Sequence, residues 1–188
     1  MRAALRPRYG LEEYLLIEET SGDVKHEYVS GEIYAMAGGS PEHAAITNAL
    51  ALLIGSHLRG GPCRTYSSDL RISISALDVF TYADLSVVCG PIERDPNSVT
   101  HVTNPRIVVE VLSPGTERYD REQKRLYYQQ LASLTEYVLV AQDRRQVEVW
   151  HRDGDGWTHR VHRAGEVASM PSIRLDLDVD ELYVTAGL

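Results

Sequence analysis

The segment Pro105-Arg106-Ile107-Val108-Val109-Glu110-Val111-Leu112-Ser113-Pro114 most constrains the fold. Ile107, Val108, Val109, Val111 and Leu112 are β-branched or aliphatic, and a proline bounds each end. Such a run predicts a strand buried on both faces, as at the centre of an α/β sheet. Glu110 interrupts it. An ionised carboxylate in that setting is costly unless a cation or a hydrogen-bond donor meets it. The partner of Glu110 must come from another element.

The remaining chain supplies helices and further strands. Leu11, Tyr14, Leu15 and Glu18 at helical spacing, with Gly22 as a stop, predict a helix over 11–21. Lys25 to Val29 and Glu32 to Ala37, joined by Ser30-Gly31, predict a hairpin with Glu27 and Val29 on one side. Ser40 as N-cap, Pro41 at the first helical position and Glu42 in the first turn open a second helix. Its stripe is Ile46, Ala49, Leu50, Leu53 and His57, its stop is Gly60-Gly61-Pro62, and His43 falls on the inward side of its first turn. Alternation from Cys63 to Ser75 predicts one strand, and from Tyr82 to Val88 another. Residues 90–104 are polar and proline-containing, the pattern of a flap-like loop. A third helix, from about Tyr119 to Leu131, puts Asp120, Lys124, Tyr127, Tyr128 and Leu131 on one face. Strands are expected at Tyr137–Val140, Gln146–Trp150, Trp157–Val161 and Ile173–Leu175, and a one-turn helix at Val179–Tyr183. This order predicts an α/β fold with a mixed central sheet flanked by helices, in one domain spanning 1–188.

Composition narrows the function. A chain of 188 residues with 24% charged residues has ordinary globular make-up, and its net charge of −8 argues against a protein that coats nucleic acid. No apolar run reaches the roughly 18 residues of a membrane helix. Met1 to Tyr9 carries three arginines without an apolar core, unlike a secretory signal. Cys63 and Cys89 have no metal-like spacing, and the expectation is a reduced cytoplasmic chain.

Four positions put charge where packing would prefer none: Glu110, Asp84 in the preceding strand, Lys124 on the sheet-facing side of its helix, and Glu27 in the first hairpin. Carboxylate oxygens of this kind suit Mg²⁺ or Mn²⁺, which a nearby lysine complements by orienting a water or neutralising charge on a phosphate. Each residue also has a plainer reading. Asp84 can be a hydrogen-bonded strand-end residue, Lys124 can pair with Asp120 one turn earlier, His43 can be a capping or core histidine, and Asp69 can be solvated. No glycine-rich phosphate loop, Cys/His metal spacing or nucleophile elbow is present.

Val109 to Pro114, then Asp120, Lys124 and Tyr127-Tyr128, then Glu136 to Val140, resemble the Uma-two family of endonucleases. Glu27-Tyr28, Gly31-Glu32, Ser40 to His43 and Tyr82 to Val88 fit the same family in the same order, and the resemblance covers about 11–184. It implies the restriction-endonuclease-like fold with a PD-(D/E)xK core. It also implies Asp84 and Glu110 as metal ligands, with the backbone carbonyl of Val111, and Glu27 as an additional acidic residue. Ala83 replaces the usual proline, and Leu112 stands where the motif has lysine. Lys124 is the matching lysine, displaced to the following helix. The expected function is divalent-metal-dependent cleavage of nucleic acid, DNA foremost, by a homodimer, with His43 accessory at the rim. The alternative is a non-catalytic protein-interaction module on the same fold. A basic rim from Arg59, Arg71, Arg118, Arg121 and Arg125 would favour the nuclease.

Overall fold

The structure is a computed structural model that describes residues 8–22 and 24–188. Most of the arginine-bearing N-terminus therefore lies outside the described residues. The chain begins α1 (Leu11–Thr20), β1 (His26–Val29), β2 (Glu32–Ala35), α2 (Pro41–His57), β3 (Cys63–Ser67) and β4 (Arg71–Ile74). There follow β5 (Val79–Tyr82), β6 (Leu85–Cys89), β7 (Arg94–Asp95), β8 (Ser98–Val102) and β9 (Pro105–Leu112). Next come α3 (Glu117–Tyr119), a π-helical turn (Asp120–Lys124) and α4 (Arg125–Tyr128). The chain ends with β10 (Glu136–Ala141), β11 (Gln146–Asp153), β12 (Gly156–Arg163), β13 (Val167–Met170), β14 (Leu175–Asp178) and α5 (Val179–Thr185).

One six-stranded sheet has the order β2-β1-β5-β4-β8-β7, the other β12-β11-β10-β9-β6-β3, and β13 and β14 form a two-stranded ribbon. The proline-bounded run is β9, central as its sequence demands, antiparallel to β6 and parallel to β10. Both faces are covered. Ile107, Val109 and Val111 join a core with Ile46, Leu50 and Ile54 of α2 and Leu182 of α5. Val108 and Leu112 join a second core with Tyr128, Leu131, Tyr137 and Leu139. Glu110 shares the parity of Val108 and Leu112, so its side chain enters the face covered by the π-helical turn and α4.

Local signals hold where they rest on backbone chemistry. Ser30 (φ 48°) and Gly31 (φ 94°) make the left-handed turn of the β1–β2 hairpin. The Ser40 hydroxyl accepts the His43 N–H at 3.2 Å and caps α2.

Several boundaries are corrected. The stretch 63–75 is two strands in different sheets, because the chain turns at 68–70. The stretch 82–88 likewise breaks after Tyr82, with Asp84 at the crossing between sheets. Residues 90–104 form the β7–β8 hairpin rather than a flap. Asp95, 1% exposed, ties it to the sheet by accepting the Asn97 N–H at 2.7 Å and the Ser73 hydroxyl of β4 at 2.6 Å. The strand placed at 173–175 is replaced by β13, a 3₁₀ turn at Pro171–Ile173 and β14. The third helix starts at Glu117 and carries the π turn, which leaves Asp120, Lys124 and Tyr128 buried but turns Tyr127 partly to solvent. Cys63 and Cys89 are register partners on β3 and β6 and are joined by a disulfide, which overturns the expectation of reduced cysteines. Among the described residues no helix is long and apolar enough to cross a membrane.

Candidate active site

Asp84 and Glu110 meet because Leu85 on β6 is in register with Val109 on β9. Asp84 follows the last residue but one of the β5–β6 crossing, where main-chain pairing lapses. Its Oδ2 accepts the Val111 N–H at 2.7 Å, so a carboxylate takes over a strand amide that would otherwise lack a partner there. The Asp84 N–H points back at Glu110 Oε2, 3.4 Å away. On the same Oδ2, His43 Nε2 approaches to 3.1 Å, and this hydrogen bond, against desolvation, raises the histidine pKa. His43 thus belongs to the site and is capped by Ser40 at the same time.

Lys124 is the partner that Glu110 requires. Its Nζ lies 3.0 Å from Glu110 Oε1 and 3.1 Å from Glu27 Oε1, and all three side chains are buried. The plainer reading, a surface pair with Asp120, is not what forms. Glu27 is held in turn by the Thr81 hydroxyl from the adjacent strand β5 of the same sheet. Burial works against the ammonium, but Glu110 and Glu27 hold its pKa well above the usual lysine value. Burial lifts the Glu110 carboxyl above its ordinary range, Lys124 opposes this, and the charges of Asp84 and Asp120 add to it. Asp120, 4% exposed on the π turn, is likewise raised by burial and by its acidic neighbours. Tyr128 and Tyr137, with ring centroids 5.7 Å apart, stand beneath the cluster.

Glu110 Oε1 is buried, with the Lys124 ammonium 3.0 Å away as its polar neighbour. A carboxylate oxygen with one ammonium beside it keeps lone-pair capacity that a cation could use. Among the described residues no three His, Cys, Asp and Glu side chains gather as a metal cage. Mg²⁺ typically takes one or two carboxylates and completes its shell with water and phosphate oxygen, so the pair Asp84 and Glu110 would serve it.

All five expected side chains therefore converge: Asp84, Glu110, Lys124, Glu27 and His43. Sequence reasoning missed the burial of Asp120 and the support from Thr81; Asp120, one turn before Lys124, was the available signal. Of the arginines whose presence at the rim would favour the nuclease, several are engaged within the chain. Arg118 pairs with Glu122, Arg121 with Glu117 and Glu148, and Arg125 stacks on Trp150. Arg59 sits at the Cys63 end of β3, while Ser67 at its other end faces Leu85 beside Asp84.

The architecture is a nuclease-like mixed α/β fold. A solved neighbour, described as "a putative nuclease belonging to DUF820" from Anabaena variabilis, superposes with TM-score 0.76 and 22% identity over 94% of this chain and 98% of that one. The chain belongs to the Uma2 family, described as "Putative restriction endonuclease", whose profile matches residues 11–180. Two uncharacterized proteins of Synechocystis are similar. One is 41% identical over 178 residues, covering 94% of this chain and 92% of its own. The other is 33% identical over 143 residues, covering 76% and 80%.

Proposed function

We propose that this chain, acting as one domain, is a divalent-metal-dependent endonuclease that hydrolyses phosphodiester bonds of nucleic acid, with DNA as the first substrate class. The observation that carries the reading is a pair of carboxylates facing each other across β6 and β9 with a buried lysine 3.0 Å from one of them. Asp84, Glu110 and the Val111 carbonyl would hold Mg²⁺ or Mn²⁺. When bound, such an ion lowers the pKa of a water and offsets charge on the phosphate. The rest falls to the chain. Glu27 and Glu110 fix the Lys124 ammonium, which stays charged and stabilises negative charge developing on the phosphate. His43 and the Val111 amide fix the rotamer of Asp84. A homodimer suits symmetric cleavage of a duplex.

A second reading, a non-catalytic interaction module, draws on the net charge of −8 and on the arginines already occupied by intramolecular partners. The two separate on activity. Cleavage of plasmid and oligonucleotide substrates with Mg²⁺ is expected to fall about a hundredfold or more in Asp84→Asn, Glu110→Gln and Lys124→Ala. Undiminished cleavage in these variants contradicts the site, and absence of cleavage by the folded wild type favours the module.

A further inference from the structure

A cavity of about 480 Å³ lies where the β3–β4 connection meets the β7–β8 hairpin, lined by residues that include Tyr66, Asp69, Arg71, Ile92, Arg94 and Thr100. Register places it beside the candidate active site. Ser67 faces Leu85 and Arg71 faces Tyr82, so the 67–71 connection runs alongside the crossing that carries Asp84. Neighbouring strands are about 5 Å apart, so this wall lies roughly one or two strand spacings from Asp84. One to three stacked nucleotides, at about 3.4 Å each, span that distance.

The lining has the chemistry of a nucleotide site. Neither Arg71 nor Arg94 makes an ion pair among the described residues, unlike Arg118, Arg121, Arg144 and Arg145, although Arg71 is hydrogen-bonded to the Tyr82 phenol and has only its remaining donors for a ligand. Arg94 is exposed, and its Nε donates to the Val99 carbonyl at 3.0 Å, which fixes the side chain and leaves its terminal nitrogens for a ligand. Asp69, held by Lys25 at 2.6 Å, offers carboxylate oxygen to an exocyclic amino group. Tyr66 and Ile92 supply flat, apolar contact for a base. The volume falls within the range of small-ligand sites.

We infer that this cavity receives a nucleotide of the substrate strand adjoining the bond to be cut, with Arg71 and Arg94 meeting its phosphate or base acceptors. It is the specificity pocket of the nuclease, and in this it rests on the proposed function. The β7–β8 hairpin then selects sequence by forming the pocket wall.

The test is binding, kept separate from cleavage. The probes are the four nucleoside 5′-monophosphates, in deoxy and ribo forms, titrated at up to millimolar concentration into the full chain without metal and followed by calorimetry and NMR shifts. Saturable binding that favours one base is expected, with the tighter of the two sugar series naming the strand. Arg94→Ala is expected to weaken it about tenfold. Val99→Trp, which fills the cavity from an exposed rim position, should weaken it similarly, and Arg160→Ala on β12 should leave it unchanged. No saturable binding, or equal affinity in Arg94→Ala and Val99→Trp, overturns the pocket. Failure here alongside Lys124-dependent cleavage removes the pocket and leaves the nuclease standing. Binding without any cleavage removes the nuclease and leaves a nucleotide site.

Discussion

Charge decides this molecule one residue at a time. Glu110 was legible because a single carboxylate in an apolar run cannot be explained by the strand itself. Lys124 was legible from its helix face, and Glu27 and Asp84 from their strands. Asp120 was not, because an acid four residues from a lysine is the commonest surface pair on a helix. His101 was not either, since its ring is buried by tertiary packing between α1 and the first sheet. It is 0% exposed, edge-on to Phe80 at 4.9 Å, and bonded through Nδ1 to the Ser98 hydroxyl at 2.7 Å. Its Nε2 has no partner. Burial, aided by Arg71, lowers its pKa to about 4. The unfolded chain, with an ordinary histidine near 6.5, then binds a proton that the native state refuses. Stability is full above about pH 6.5 and falls as pH drops toward 4, by about 3 kcal/mol in all. Urea midpoints measured from pH 7.5 to 4.5 should show a steeper acid-side fall for wild type than for His101→Phe. Parallel curves would mean that His101 does not resist protonation.

At the scale of elements, the sequence declares runs better than breaks. β9, α2 and the β1–β2 hairpin follow from β-branched burial, a capping serine and a Ser-Gly turn. The breaks at 68–70 and at Ala83-Asp84 were hidden because alternation continues in phase through them, while the change of sheet is decided by partners distant in sequence. Polar residues 90–104 form a hairpin because Asp95 finds donors on β4, which no local pattern reveals. The π turn is similarly silent. It makes the buried positions 120, 124 and 128 recur every four residues, where a regular helix would drift toward 127. Deleting the exposed Gln123 should restore α-helical spacing and rotate Asp120 out of line with Lys124. The expected outcome is a folded protein by circular dichroism with cleavage reduced at least about a hundredfold, as for loss of Lys124 itself. Retained cleavage would show that the extra residue does not set the site.

At the scale of the whole molecule, the chain makes two excursions from the β9 sheet into the other, β4–β5 and then β7–β8, and the first carries the site. The chain leaves the β9 sheet after β3, builds β4 and β5 in the other, and returns through Asp84 to β6. The Cys63–Cys89 disulfide, with a sequence separation of 26, closes that excursion. Spacing alone suggested nothing, because the two cysteines become neighbours only through the β3–β6 register. Constraining a loop of this length should stabilise the fold by about 3.5 kcal/mol. Cys63→Ala/Cys89→Ala, or wild type held in dithiothreitol, should unfold at correspondingly lower urea. Native oxidised protein should show no titratable thiol, and two free thiols in it would contradict the link.

The proposed centre requires Asp84 and Glu110 to form one cation site, and calorimetric titration of Mn²⁺ and Mg²⁺ tests this most directly. One ion per chain is expected to bind wild type. Binding should be lost in Glu110→Gln and in Asp84→Asn, each confirmed as folded, and kept in His101→Phe. Equal binding by Glu110→Gln and wild type would place any ion elsewhere and contradict the centre proposed for this chain.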